Sequence, residues 1–214
     1  MKPPPLSSSC FDRNYDTKER FCSYWHQIDE IISLKPKKML EIGIGNGFVS
    51  KYLRDKKINL ITLDMAHDLR PDTVGSVSAI PFRSESFDLV SCCEVLEHLP
   101  FEKFPETLKE IRRIAQGSII LSLPDVTTVY RIHIDLPKIK PIRRLVPHPF
   151  HRPVRHEFDG EHYWEIGKKG CPRGRIEFEI SRSGLIIVKT YKVFEFPYHR
   201  FFVLRKTEAN SASR

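Results

Sequence analysis

The stretch Lys38–Phe48, KMLEIGIGNGF, constrains this chain more than any other. Met39, Leu40, Ile42 and Ile44 form a short apolar run, broken by Gly43, Gly45 and Gly47 at alternate positions. An apolar run with no polar face suits a strand buried on both sides of a parallel sheet. The glycines let the backbone turn sharply and approach a ligand that a side chain would push away. Phe48, Val49, Tyr52 and Leu53 then recur at helical spacing, so the loop opens onto a helix N-terminus. Strand, tight glycine turn and helix together make a cradle for a nucleotide-type cofactor.

With 214 residues, 40% of them hydrophobic, the chain has the size and apolar content of one ordinary domain. It contains no apolar stretch approaching the ~20 residues of a membrane span. The opening MKPPPLSSSCFD lacks the apolar core of a signal peptide and is expected to be poorly ordered through residue 16. The five cysteines form no CxxC pair, which points to reduced thiols and a cytoplasmic setting. The net charge of +8 is concentrated. Between Val126 and His156, seven Lys or Arg face Asp135 alone. Such local basicity points to a site rather than to general solubility.

Taken in order, the stripe Phe21, Tyr24, Trp25, Ile28, Ile31 and Ile32 predicts a helix from Lys18 to the Lys35-Pro36 stop. It packs on the sheet, with Tyr15, Tyr24 and Trp25 offering a lid over a ligand. Ile58–Leu63 reads as a second strand ending in Asp64, about 20 residues past the first glycine, where an adenosine ribose is gripped. Thr73–Val77, Phe87–Cys92 and Ser118–Leu123 read as further strands. A helix through Phe101, Phe104, Leu108, Ile111 and Ala115 precedes the last of these, with Gly117 as its cap. The alternation predicts an α/β fold with a doubly wound, mostly parallel sheet. Residues 124–174, rich in proline and histidine, are too long for a bare connection and form an insertion after the fifth strand. Arg175–Arg182 fits either a strand or one helix face, and Leu185–Val193 and Phe201–Leu204 close the sheet.

The cradle itself reads E-x-G-x-G-x-G from Glu41 to Gly47, not the G-x-G-x-x-G of dinucleotide enzymes. This resembles motif I of the class I S-adenosylmethionine-dependent methyltransferases. The segments Gly75–Phe82 (GSVSAIPF), Ser86–Val90 (SFDLV) and Glu94–Pro100 (EVLEHLP) extend the resemblance across residues 37–123. The resemblance implies a Rossmann-like seven-stranded sheet with a reversed last strand, and S-adenosyl-L-methionine as cofactor. It implies that Glu41, Gly43, Gly45 and Gly47 line the methionine end, and that Asp64 holds the ribose. Met65, Ser76 and Val77 would flank the adenine, with Cys93 and Glu94 completing the cofactor side. Ser76 departs from the family's usual Asp. On this reading the chain is a single methyltransferase domain. Residues 1–35 form a tail and helix, 36–123 the cofactor core, 124–174 a basic substrate-side insertion, and 175–206 a closing helix and strands.

His98 and His162 are the candidate catalytic residues, since a base is required when the acceptor is a hydroxyl or a protonated amine. His98 otherwise only packs its turn. Glu94, Glu97 and His98 at i, i+3 and i+4 also share a helical face, and E-x-x-E-H resembles the metal-binding element of some RNA-terminal and quinone-precursor methyltransferases. The reading taken here is a metal-free reaction. The +6 segment is expected to wall the acceptor site and select a small-molecule or lipid-linked phosphorylated acceptor, with RNA ranked second for want of stacking aromatics. A nicotinamide oxidoreductase and a non-catalytic cofactor-binding module are the rival classes.

Overall fold

The computed structural model describes residues 15–207, so the expectations for the Pro- and Ser-rich opening, and Cys10, lie outside the described residues. In chain order the strands are β1 (Met39–Ile42), β2 (Leu60–Asp64), β3 (Thr73–Val74), β4 (Phe87–Cys93), β5 (Ala115–Pro124), β6 (Val129–Ile134), β7 (Ile142–Pro147), β8 (Leu185–Lys192) and β9 (His199–Lys206). The helices are α1 (Lys18–Leu34), α2 (Phe48–Asp55), α3 (Phe104–Ile114) and α4 (Arg173–Arg182). Seven strands form one sheet in the order β3-β2-β1-β4-β5-β9-β8, and β6 and β7 form a separate hairpin. Strands β3, β2, β1, β4 and β5 run parallel, and β9 lies antiparallel to both β5 and β8. This is the doubly wound, mostly parallel, seven-stranded Rossmann-like fold. Strand order reverses between β1 and β4, which places the ligand crevice beyond their carboxyl ends.

Side-chain alternation along the strands divides the core between two faces. Met39, Leu60, Leu89 and Ile120 point to one side, where Ile28 and Ile31 of α1 and Val49 and Leu53 of α2 cover them. Leu40, Val90, Ile119 and Leu121 point to the other, under Leu108 and Ile111 of α3 and Ile176 and Ile180 of α4. Helix α1 begins on Thr17, whose side chain accepts from the Arg20 N–H at 3.2 Å, and ends at Lys35 in a left-handed conformation before Pro36.

Two local expectations change in the structure, and one ambiguity is resolved. Strand β3 stops at Val74, because the chain turns through a bridge between Ser76 and Ala79. Gly117 does not cap α3; Ala115 does, and Gly117 lies within β5. Its lack of a side chain serves close approach, since a Cβ there would stand 2.6 Å from the Asp88 carbonyl oxygen. Arg173–Arg182 is helical, which resolves the ambiguity of that stretch.

The insertion holds the β6–β7 hairpin and a long loop that returns to the core. Trp164 anchors this loop, its ring 5.1 Å from those of Phe101 and Phe104 and its indole N–H on the Leu99 carbonyl at 3.0 Å. The root of the hairpin is tied by charge. Asp125 is buried and accepts from Arg200 at 2.6 Å, with Lys192 at 3.3 Å. Burial pushes the Asp125 carboxyl up, but the Thr127 hydrogen bond and the two cations outweigh this and hold it below its ordinary value.

Candidate active site

A cavity of about 500 Å³ opens at the switch between β1 and β4, a size suited to a small ligand. The β1 end supplies Glu41, Gly43 and Gly45 to its wall. Gly43 has φ +81°, and a Cβ there would lie 2.3 Å from Val95 Cγ2, so no side chain is accommodated. Gly45 has φ +54°, with nothing within 4 Å of where a Cβ would stand. The loop backbone is therefore open to the cavity here. Gly47 caps α2 and is not part of the lining.

Glu41 is fully buried, and burial pushes its carboxyl up to about 8. Gln27 of α1 reaches it at 3.4 Å and Ser91 at 3.1 Å, while the second Glu41 oxygen has no partner among the described residues. Asp64 at the end of β2 faces the cavity, and its two oxygens accept the Ile44 and Ala66 N–H groups, each at 2.9 Å. It therefore pins the glycine loop from the cavity wall. Met65, Ser76 and Val77 line the same end, and Met65 is exposed. Tyr15, Arg20 and Tyr24 close the cavity from the α1 side. Trp25 does not, being 59% exposed outside it, so the lid is narrower than the sequence suggested.

Opposite the glycine loop stands a titratable cluster. Cys93 and Glu94 end β4 in the cavity wall, and burial raises the Cys93 thiol to about 12, which keeps it neutral. Glu94 adopts φ +52°, a strained left-handed conformation for a side chain of this kind. Its carboxyl accepts from the Ser122 hydroxyl at 2.7 Å and lies 3.4 Å from His199 Nε2. Glu94 to His98 is not the helical face that its spacing suggests; only Leu96–His98 turns, as a 3-10 segment. Glu97 is wholly buried with neither carboxylate oxygen hydrogen-bonded among the described residues, and burial followed by the Glu94 charge pushes it well up.

His98 and His162 both reach the cavity, their rings 5.0 Å apart edge-on. His98 Nδ1 meets the Glu161 carbonyl at 3.0 Å; burial, then the nearby His162, lower its pKa. His162 Nδ1 lies 3.3 Å from both Glu165 and the Tyr198 hydroxyl. Burial would lower its pKa, but Glu165 and Asp159 more than offset that and raise it. Glu97, His98 and His162 offer one donor atom each within 4.8 Å of one another. Glu94 is not in that set; its carboxyl meets Ser122 and His199 instead.

The basic segment from Val126 to His156 is absent from the lining, which takes Arg20 and Lys103 as its Lys and Arg side chains. The expected basic wall is therefore not there: those residues sit on the exposed hairpin and the loop after it. The insertion reaches the cavity through Gly160–Tyr163 instead. Sequence reasoning also missed Gln27, Tyr198 and His199. The first is hidden in an amphipathic stripe, and the other two follow Pro197 in a connection without periodicity.

Residues 40–121 match the family described as "Methyltransferase domain". The E-x-G-x-G-x-G loop from Glu41 to Gly47 lies inside the matched stretch. Over residues 40–121 the chain is a methyltransferase domain. Ubiquinone biosynthesis O-methyltransferase of Stutzerimonas stutzeri is 32% identical over 90 residues, covering 34% of this chain and 38% of the relative. An uncharacterized protein of Methanocaldococcus jannaschii is 35% identical over 88 residues, covering 38% of each. The matched stretch thus spans little more than a third of these curated relatives. Among solved structures, the Burkholderia thailandensis 1,6-didemethyltoxoflavin-N1-methyltransferase, determined with S-adenosylhomocysteine, superposes with TM-score 0.62 at 12% identity, covering 94% of this chain and 83% of its own. An Aquifex aeolicus SAM dependent methyltransferase superposes with TM-score 0.58 at 11% identity, covering 94% and 100%. At these identities the superpositions show that the methyltransferase fold extends beyond the matched sequence into the closing strands.

Proposed function

We propose that the protein transfers a methyl group from S-adenosyl-L-methionine to an oxygen or nitrogen of a small-molecule acceptor. The observation that carries this is the unpartnered, buried Glu41 oxygen in a cavity whose glycine loop leaves open space at Gly45. A cationic methionine end fits that carboxyl group, whose ionised form a bound cation would favour against burial, and Asp64 stands at the other end for the ribose hydroxyls. Cys93 and Glu94 close the cofactor side, and Met65, Ser76 and Val77 its adenine end. Bound there, S-adenosyl-L-methionine supplies a methyl group on a sulfonium, open to in-line displacement. The protein's part is alignment and exclusion of water.

His98 and His162 face the acceptor. Their environments push them in opposite directions, the arrangement expected of a pair that divides proton acceptance from charge stabilisation. His98 takes the acceptor's proton through Nε2, since its Nδ1 donates to the Glu161 carbonyl in the neutral form. His162, held by Glu165 and Tyr198, steadies the negative charge left behind. The named O-methyltransferases among the relatives support an oxygen acceptor. Calorimetry tests the cofactor reading directly: wild type binds S-adenosyl-L-methionine, and Asp64→Asn weakens it by about 1.5–3 kcal/mol, the worth of a hydrogen bond to a charged group. Folded wild type that binds no S-adenosyl-L-methionine refutes the reading.

One observation favours a second reading. Both imidazoles have Nδ1 engaged by a carbonyl or carboxylate, and His162 Nε2 lies 4.0 Å from Glu97, whose oxygens accept no hydrogen bond among the described residues, as metal-ligating histidines are commonly arranged. A divalent ion held by Glu97, His98 and His162 would acidify the acceptor without a base. Elemental analysis finding a stoichiometric ion, lost in Glu97→Gln, selects this reading over the metal-free one.

A further inference from the structure

The β6–β7 hairpin stands apart from the sheet and has two unlike faces. Cross-strand partners share a face. Arg131 pairs with Leu145 and His133 with Arg143, and this face turns toward the protein. Arg131 donates to the Glu195 carbonyl at 3.2 Å, Arg143 to the Glu195 carboxylate at 3.1 Å, and the His133 ring lies 6.1 Å from Phe194. The opposite face pairs Tyr130 with Val146, Ile132 with Arg144 and Ile134 with Ile142. Its apolar members are all exposed, and the turn adds exposed Leu136 and Ile139, the latter 58% open. So many large apolar side chains on one projection mark an interaction surface, not the scattered exposure of an ordinary monomer.

Charge identifies what covers it. Lys138 and Lys140 flank Ile139 at the tip, and Arg144 stands among the apolar residues of the outer face. None of the three forms a salt bridge among the described residues, and Asp135 is the hairpin's one acidic residue. A projecting apolar tip ringed by long cationic side chains fits the boundary between headgroups and acyl chains, where the stems sink and the charges stay with phosphate. Nucleic acid would call for stacking platforms along the charged surface, but the aromatics here gather at the hairpin's root, Tyr130 against His148 at 4.9 Å and His148 against Phe150 at 5.9 Å, away from the cationic tip. We infer that the hairpin docks the protein on an anionic lipid bilayer. Its root follows β5 at Asp125, beyond the carboxyl ends of the strands where the cavity lies. The inference stands independently of the cofactor proposed above.

The test is co-sedimentation of the full chain with vesicles about one third phosphatidylglycerol in phosphatidylcholine, against vesicles of phosphatidylcholine alone. Wild type is expected to sediment with the anionic vesicles, less so as salt rises, and to stay in solution with the neutral ones. Each basic residue near an anionic surface multiplies partitioning roughly fivefold, so Lys138→Gln/Lys140→Gln should reduce it roughly 25-fold. Ile139→Asp should reduce it by about tenfold or more. These positions are solvent-exposed, so circular dichroism should match wild type. If one variant misfolds, the other carries the test. Wild type remaining in solution with anionic vesicles overturns the inference, as do folded variants that sediment like wild type. A single-stranded RNA that displaces the protein from vesicles and binds it more tightly assigns the charge to nucleic acid instead. A dimer in solution abolished by Ile139→Asp assigns the face to self-association.

Discussion

Protonation of His199 should limit the protein's stability in mild acid. Its ring is buried in the cavity wall, and burial, followed by the charges of Arg20 and His162, holds its pKa at about 3 against an ordinary 6.5. Phe196, 4.5 Å away ring to ring, adds no charge, and Glu94, 3.4 Å away, is itself held toward neutrality by burial. A lowered folded pKa means that the unfolded chain takes the proton first. Stability contributed by neutral His199 is therefore complete above the unfolded value and declines as pH falls below 6.5. Between about pH 6.5 and 5 the loss is about 1.6 kcal/mol, and it changes little whether the folded value is nearer 2 or 4. Urea unfolding of wild type and His199→Gln at both pH values isolates this term, because titrations common to both cancel in the double difference. A double difference near zero would refute the argument and mean that His199 folds as a cation against an ionised Glu94.

Gly43→Ala should cost about 1–3 kcal/mol in thermal or denaturant unfolding through its left-handed backbone alone. The clash with Val95 should also lower cofactor affinity in calorimetry, and a variant as stable as wild type would show that the loop relaxes freely. Trp164→Ala removes a buried ring packed on Phe101 and Phe104, so unfolding should fall by about 3–5 kcal/mol. Little change would mean that the insertion loop is not anchored as described.

The parallel core was legible because its strands are buried on both sides and leave unbroken apolar runs such as Leu89–Val90 and Ile119–Leu121. The cradle was legible because Gly43 and Gly45 each answer a local steric demand. Gly117 was misread for a related reason: a glycine after a helical stripe resembles a cap, whereas this one admits the Asp88 carbonyl of a strand distant in sequence. The hairpin left no clear signal because neither of its faces is core, so its alternation mixes Ile132 with Arg144 and His133 with Arg143. The acceptor wall was misplaced because charge density locates a surface but not the direction in which it faces. His162 and Glu97 were each visible as candidate groups, but nothing in a separation of more than sixty residues tells that they meet.

The reversed β9 has a consequence for the order in which the protein assembles. As the end strand of the sheet, β8 pairs with β9 alone, so β8 has no strand to join until the chain through Lys206 has been made and has slotted in beside β5. Until then β5 presents an unpaired edge, a template for the wrong partner. Tyr198 and His199 arrive with the same strand, so the step that seals the sheet also completes the cavity wall. During synthesis the nascent chain thus holds its cofactor loop early and its full site only last. Slow insertion of β9 should appear as a late phase in which sheet completion and ligand binding emerge together.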